Sequence, residues 1–189
     1  MTKLIVQSVK QTILWTMLVG VAYPLVITAV AQLAFPHQAN GSLVKRRGTI
    51  VGSELLAQQF TSAKYFWPRP SAGSYATVPS GASNLGPTSK KLQDNVMSLA
   101  AALRAAHHLP PDALVPADLV FTSSSGLDPH VSPEAARFQI ARVAAARGLS
   151  ETKVKALVEK FIEPPQWGFL GEPRVNVLRL NLALDELQT

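Results

Sequence analysis

Apolar and polar positions change their rhythm at Phe35. From Ile13 to Phe35 (ILWTMLVGVAYPLVITAVAQLAF) no residue is charged and Leu, Ile and Val dominate. At 1.5 Å per residue a helix of that length reaches roughly 34 Å, enough to cross a bilayer. Beyond it the pattern breaks into shorter periods. Ser42–Val44 and Thr49–Val51 read as short β runs, and Leu55–Phe60 as a short helix. Lys64 to Ser89 (KYFWPRPSAGSYATVPSGASNLGPTS) is too rich in Pro, Gly and Ser for a helix and predicts an extended loop. Its Tyr65, Phe66, Trp67 and Tyr75 favour an ordered, packed one.

Helical spacing returns with Leu92, Val96, Leu99 and Leu103, which predict a helix capped by Thr88 and running to His107. A turn-rich link from Pro110 to Asp118 leads to a predicted strand, Leu119–Thr122. Ser132 as N-cap, Pro133 at the first position and Glu134 in the first turn open the next helix. Ala136, Ile140, Val143 and Ala144 form its buried face, and Gly148 ends it. A further helix, Ser150–Ile162, buries Val154, Leu157, Val158 and Phe161 and stops at Pro164-Pro165. Val175 to Leu184 (VNVLRLNLAL) alternates leucines onto one face and predicts a strand. The expected fold class is α+β, mixed α/β, as one domain over residues 36–189. It is attached to a single transmembrane helix over 13–35, preceded by a short tail over 1–12.

Within the span, Thr16, Gly20, Pro24 and Thr28 recur every four residues and make a slowly drifting ridge of small side chains suited to close helix packing. Pro24 removes a backbone hydrogen bond and predicts a kink. A cleaved signal peptide is the rival reading, because Ala29-Val30-Ala31 has the A-x-A form. The apolar run continues past that site, which favours an anchor. Lys3 and Lys10 on one flank nearly balance Lys45, Arg46 and Arg47 on the other. A long C-terminal domain is exported largely regardless of its charge, so the expected arrangement is a cytoplasmic N-terminus with the main domain outside the cytoplasm.

The net charge of +6 and the pI of about 9.8 come from basic residues scattered along the chain. Nucleic-acid binding needs a stripe or patch, so none is expected. The absence of cysteine excludes disulfides, Cys-bound zinc and thiol catalysis.

One stretch carries the ingredients of hydrolysis: SSSGLDPHVSP, Ser123 to Pro133. Asp128 and His130 stand two residues apart, whereas a Ser-His-Asp triad places its histidine to bridge nucleophile and acid from a separate position. There is no G-x-S-x-G elbow. A tight turn in which Ser and Asp side chains bond local amides is the expected reading, with a membrane-anchored or secreted Ser/His/Asp hydrolase as the alternative. His107 and His108 are placed at a helix C-terminus, where the dipole favours them. PSGASN, Pro79 to Asn84, has a short likeness to the Ser-Gly-Gly signature of ATP-binding cassettes, with amides free to face an anion. Neither G-x-x-x-x-G-K-[ST] nor D-K-T-G-T occurs in the chain, which excludes ATP hydrolysis by either route.

Five blocks in order, YFWPRPSAGSY (Tyr65–Tyr75), SGASNLGPTS (Ser80–Ser89), SSSGLDPHVSPEAA (Ser123–Ala136), RVAAARGL (Arg142–Leu149) and GEPRVNVLRLNLALD (Gly171–Asp185), together with YPLVIT in the span, resemble the C subunit of the bacterial Kdp potassium-transporting ATPase. The resemblance implies a non-catalytic, single-pass subunit of the cell inner membrane with a periplasmic domain near the mouth of the ion path. It implies assembly with a potassium-binding channel-like subunit, an ATP-hydrolysing P-type subunit and a small single-helix subunit. It also implies a catalytic chaperone that raises the ATP affinity of the hydrolysing subunit. ATP and K+ are then ligands of the complex, with no cofactor bound tightly here. The span would pack by Thr16, Gly20, Pro24 and Thr28. Arg69, Ser80, Gly81, Ser83, Asn84, Ser123, Ser125, Asp128 and His130 would face partners.

Overall fold

A computed structural model describes residues 1–187. The chain packs as two units, Met1–Ile50 and Val51 onward.

The first unit is led by a helix from Thr2 to Ala34, 33 residues with a mean hydropathy of 2.1 in its most apolar window. It is long and apolar enough to cross a membrane. Three parts make it up: α1 (Thr2–Trp15), a π-helical segment (Thr16–Ala22) and α2 (Tyr23–Ala34). The helix starts well before the charge-free run, so residues 2–12 of the short N-terminal tail are helical and continuous with the span. The expected disturbance at Pro24 takes the form of that π segment. Pro24 has no N–H for the carbonyl of Gly20, and its ring would collide with that carbonyl in a regular helix. The ladder widens instead, and the Tyr23 N–H bonds to the Leu18 carbonyl, five residues back. After α3 (Pro36–Ala39), β1 (Leu43–Arg46) and β2 (Thr49–Ser53) form a two-stranded sheet near the two expected β runs.

The second unit is built on a three-stranded antiparallel sheet in the order β3 (His130–Val131), β5 (Arg174–Asn176), β4 (Ile162–Glu163). Five helices accompany it: α4 (Lys90–Ala106), α5 (Pro133–Phe138), α6 (Ile140–Arg147), α7 (Glu151–Lys160) and α8 (Val177–Glu186). Val143, Val154, Val158, Val175, Leu180 and Leu184 lie fully buried among them with Phe66. Helix starts follow the expected chemistry. Ser132 accepts from the Ala135 N–H and Ser150 from the Lys153 N–H. Gly148 closes α6 in the left-handed conformation. For α4 the cap is Ser89, one residue beyond Thr88.

Five expectations change. The single helix expected between Ser132 and Gly148 is two, α5 and α6, divided at Gln139. Val175–Leu184 is mostly helix: only Arg174–Asn176 is strand, because the Asn176 side chain accepts from the Arg179 N–H and starts α8. Val177, Leu180, Asn181 and Leu184 are then buried at helical spacing. Leu119–Thr122 is not a strand; a 3-10 turn, Ala117–Leu119, occupies its start. Leu55–Phe60 forms a turn and irregular chain rather than a helix. Ile162 leaves α7 for β4.

The irregular segment Ala63–Trp67 is the least expected part of the core. Phe66 is fully buried, yet among the described residues no strand pairs with it. Asn181 accepts from the Phe66 N–H at 2.8 Å and donates to its carbonyl at 3.0 Å. Gln139 does the same for Trp67, at 2.7 and 3.1 Å. Two side-chain amides thus stand in for a neighbouring strand. Arg142 adds bonds to the carbonyls of Ala63 and Tyr65 and to Gln139 Oε1. Its guanidinium stacks 3.9 Å from the centroid of the Trp67 ring. Its Nε donates to His107 Nε2 at 3.2 Å. Burial lowers the Arg142 pKa to about 10, which leaves it charged at neutral pH. Burial first, then Arg142 and His108, lowers the His107 pKa to about 4.

Replacing Asn181 by Leu leaves the Phe66 N–H and C=O buried without partners. At about 1–3 kcal/mol for each orphaned group, we expect a loss of about 2–6 kcal/mol in denaturant unfolding of the detergent-solubilised chain. His107 titrates lower in the folded state than the ordinary 6.5, so protons favour the unfolded chain. Its contribution to stability is complete above pH 6.5 and is lost as pH falls toward 4. The melting temperature should fall over that window, and His107→Gln should flatten the fall.

Candidate functional site

The loop after Trp67 and the turn from Ser123 to His130 meet at one place. Arg69 Nη1 donates to Asp128 Oδ2 at 3.1 Å, and Asp128 Oδ1 accepts from the His130 N–H at 3.0 Å. The His130 ring Nδ1 stands 3.5 Å from the same oxygen. Burial raises the Asp128 pKa, but the bonds from His130 and Arg69 outweigh it, and the carboxyl is held below its usual range. Among the described residues the buried Arg69 Nε has no hydrogen-bond partner. The Arg69 carbonyl accepts from the Tyr75 hydroxyl at 2.9 Å, and burial raises the pKa of that phenol.

Backbone contacts join the two segments more closely. The Ser123 N–H donates to the Pro70 carbonyl. Ser71 Oγ accepts from the N–H groups of Gly73 and Tyr75, which folds the loop tightly. Gly126 has φ +70°, and a Cβ there would stand 3.0 Å from the Gly81 carbonyl oxygen and 3.4 Å from Ser71 Oγ. Only glycine accepts both that backbone conformation and that approach. Leu127 anchors the turn on its other side, its carbonyl accepting from the Ala57 N–H at 2.9 Å.

Of the residues expected to face partners, Arg69, Gly81, Asp128 and His130 gather here half-buried, and Ser80, Ser83, Asn84 and Ser125 are exposed. Ser123 is a correction: it is buried, at 3% exposure, and faces the fold. Ser125 Oγ accepts from the Leu127 N–H, and among the described residues neither Ser123 nor Ser125 bonds to His130. The triad geometry of the hydrolase alternative is therefore not formed. Among the described residues no three His, Asp or Glu side chains gather as a metal site requires. Between the loop and α4 lies an open groove of about 610 Å³, lined in part by Pro70, Ser71, Ser83, Leu92, Asn95 and Thr122.

The residues that hold this loop in place were missed as such in the sequence. Gln139, Arg142 and Asn181 clamp its start, and Arg147 donates to the Lys64 carbonyl at 2.7 Å and to Asp185 Oδ1 at 2.7 Å. A polar residue on an otherwise apolar helix face, as with Gln139 and Asn181, is the signal that marks such a role.

These features define an α+β protein carrying one N-terminal helix fit for a membrane, with side chains at its most conspicuous motif engaged in holding loops together. The family model for the c chain of the K+-transporting ATPase, KdpC, matches residues 5–186. A Potassium-transporting ATPase KdpC subunit from Rhodospirillum rubrum is 59% identical over 175 residues, covering 90% of this chain and 89% of the relative. One from Sorangium cellulosum is 56% identical over 175 residues, covering 90% of each. One from Koribacter versatilis is 48% identical over 190 residues, covering 100% of this chain and 97% of the relative. The chain belongs to the KdpC family, the family of an accessory, non-catalytic subunit of the potassium-transporting ATPase.

Gly126→Ala should destabilise the second unit by about 1–3 kcal/mol, because left-handed strain adds to the collision with Gly81. Gly168 shares the conformation, φ +83°, but has open space around its Cβ position. Gly168→Ala should therefore cost less, and the difference in denaturation midpoint reads the Gly81 contact.

Proposed function

We propose that the chain works as the single-pass assembly subunit of an ATP-driven potassium uptake complex in the cell inner membrane. Its N-terminus is cytoplasmic and its main domain periplasmic. Its partners in this reading are a channel-like potassium-binding subunit, a P-type ATP-hydrolysing subunit and a small single-helix subunit. The observation that carries the reading is the family match over residues 5–186, which takes in both the apolar helix and the folded domain.

The helix packs on a neighbour by Thr16, Gly20, Pro24 and Thr28, all exposed along its length. The exposed Ser80, Ser83, Asn84 and Ser125, with Arg69, Gly81, Asp128 and His130 beneath them, offer hydroxyls, amides and a braced ion pair to a partner surface. A periplasmic domain cannot touch ATP in the cytoplasm. It raises the ATP affinity of the hydrolysing subunit by binding two pump states unequally, so that the preference appears as a coupling free energy. A tenfold gain in affinity needs only about 1.4 kcal/mol of such preference. Linkage makes the effect reciprocal: ATP tightens the hold of the complex on this subunit by the same factor.

A Cβ on Gly20 meets only Thr16 Cγ2, at an ordinary 3.7 Å, so Gly20→Leu leaves the helix intact and adds bulk outside it. We expect that variant to reach the membrane normally but to lose most of its co-purification with the other subunits. Undiminished recovery would remove the ridge from the proposal. A tag after Thr189 should be reached by impermeant reagents from the periplasmic side only.

A further inference from the structure

The chain's charge is divided unevenly. All 12 acidic residues lie beyond Ile50, while Lys3, Lys10, Lys45, Arg46 and Arg47 lie before it, in the unit that contains the long apolar helix. The two basic groups lie on opposite sides of the charge-free run of that helix, Lys3 and Lys10 in its first turns and Lys45 to Arg47 beyond its end. Whichever way it crosses, one group sits on the non-cytoplasmic side, where positive charge weakens the topology signal. The second group, Lys45 to Arg47, occurs on a built element rather than a loose link.

That element is the β1–β2 hairpin. Arg47 and Gly48 have φ +50° and +81°, the pair of left-handed residues that a tight two-residue hairpin turn requires. Along β1 exposure alternates: Leu43 and Lys45 are exposed, while Val44 and Arg46 are half-buried. Thr49 and Ile50 follow the turn and are exposed, Ile50 to 54% and Leu43 to 41%. The hairpin thus presents two aliphatic side chains beside Lys45 and the tip residue Arg47.

The link from the helix end to this hairpin is short and folded. Asn40 Nδ2 donates to Gln32 Oε1 in the last turns of α2 and to the Pro36 carbonyl. The Ser42 N–H donates to the His37 carbonyl. These bonds keep β1 close to the end of a helix that is itself fit for a bilayer.

We propose that the β1–β2 hairpin docks on the surface of the membrane that the helix crosses, with Lys45 and Arg47 on anionic phospholipid headgroups and Leu43 and Ile50 at the acyl boundary. Cations over an aliphatic edge match the two layers of that interface. The proposal requires only that the helix crosses a membrane and stands apart from the potassium-pump reading.

The chain has no cysteine, so Thr49→Cys offers a single attachment point beside the turn. The full chain, labelled there with an environment-sensitive fluorophore, is reconstituted alone into vesicles of phosphatidylcholine with or without phosphatidylglycerol. Nitroxide-bearing lipids serve as quenchers. We expect a blue-shifted, quenched probe in the anionic vesicles that is released by high salt. Each basic residue near an anionic surface changes the docked-to-free ratio about fivefold, so Lys45→Gln with Arg47→Gln should lower it about 25-fold. The same label at Leu114→Cys, 92% exposed on the second unit, is the control for label chemistry and should be insensitive to salt and to the variants, and an unchanged denaturation midpoint shows that the variants keep their fold. Equal quenching in neutral vesicles, no quenching in either, or a signal that appears only when the other subunits are added would overturn the proposal. The last outcome would assign the hairpin to a protein surface.

Discussion

The peptide groups of Phe66 and Trp67, paired by side-chain amides and not by a strand, govern the folded domain. Phe66 is fully buried and Trp67 lies next to it, and buried N–H and C=O groups must be paired. Asn181 and Gln139 meet that demand, each accepting from one N–H and donating to the carbonyl of the same residue. One amide comes from α8 and the other from the turn between α5 and α6, so the segment is fixed only once those helices are docked. Arg142 then covers the carbonyls on either side of Lys64 and stacks on the Trp67 ring, with no acidic partner among the described residues. Desolvating a cation is costly, and bonds to carbonyls are what make this one tolerable.

Everything at the surface loop is downstream of that clamp. Arg69 follows Trp67 by two residues, so the pinned chain before it sets where its side chain starts out toward Asp128. The turn from Ser123 to His130 is held in its own right by the Leu127 carbonyl and by β3 pairing with β5. Where the two meet, Gly126 lies against the backbone at Gly81, which leaves no room for a side chain between the segments.

Much of this was legible in the amino-acid order. The apolar run, the caps at Ser132 and Ser150 and the stop at Gly148 are local signals, and local signals survive folding. Leu178 to Leu184 misled because leucines spaced by two also sit at i and i+4 and so suit a helix as well as a strand. Asn176 decided between them with a cap. Leu119 misled for another reason: a short apolar run beside Pro116 carries too little pattern to separate a strand from a 3-10 turn. The membership of the loop site was partly readable, since Arg69, Asp128 and His130 were singled out and do converge. The long-range amide pairing was not, because no local pattern links Gln139 to Trp67 or Asn181 to Phe66 across the intervening sequence.

The widened turn before Pro24 has a geometric consequence. Along a regular helix, side chains four apart precess by about 40° at each step, so a long row of them spirals off to one side. A turn closed by bonds five residues apart holds more than four residues, and across it the precession runs backward. Thr16, Gly20, Pro24 and Thr28 are thereby drawn closer to a straight rail parallel to the axis. A neighbouring rod can lie along that rail with little crossing, so the imino acid that breaks the ladder also straightens the track.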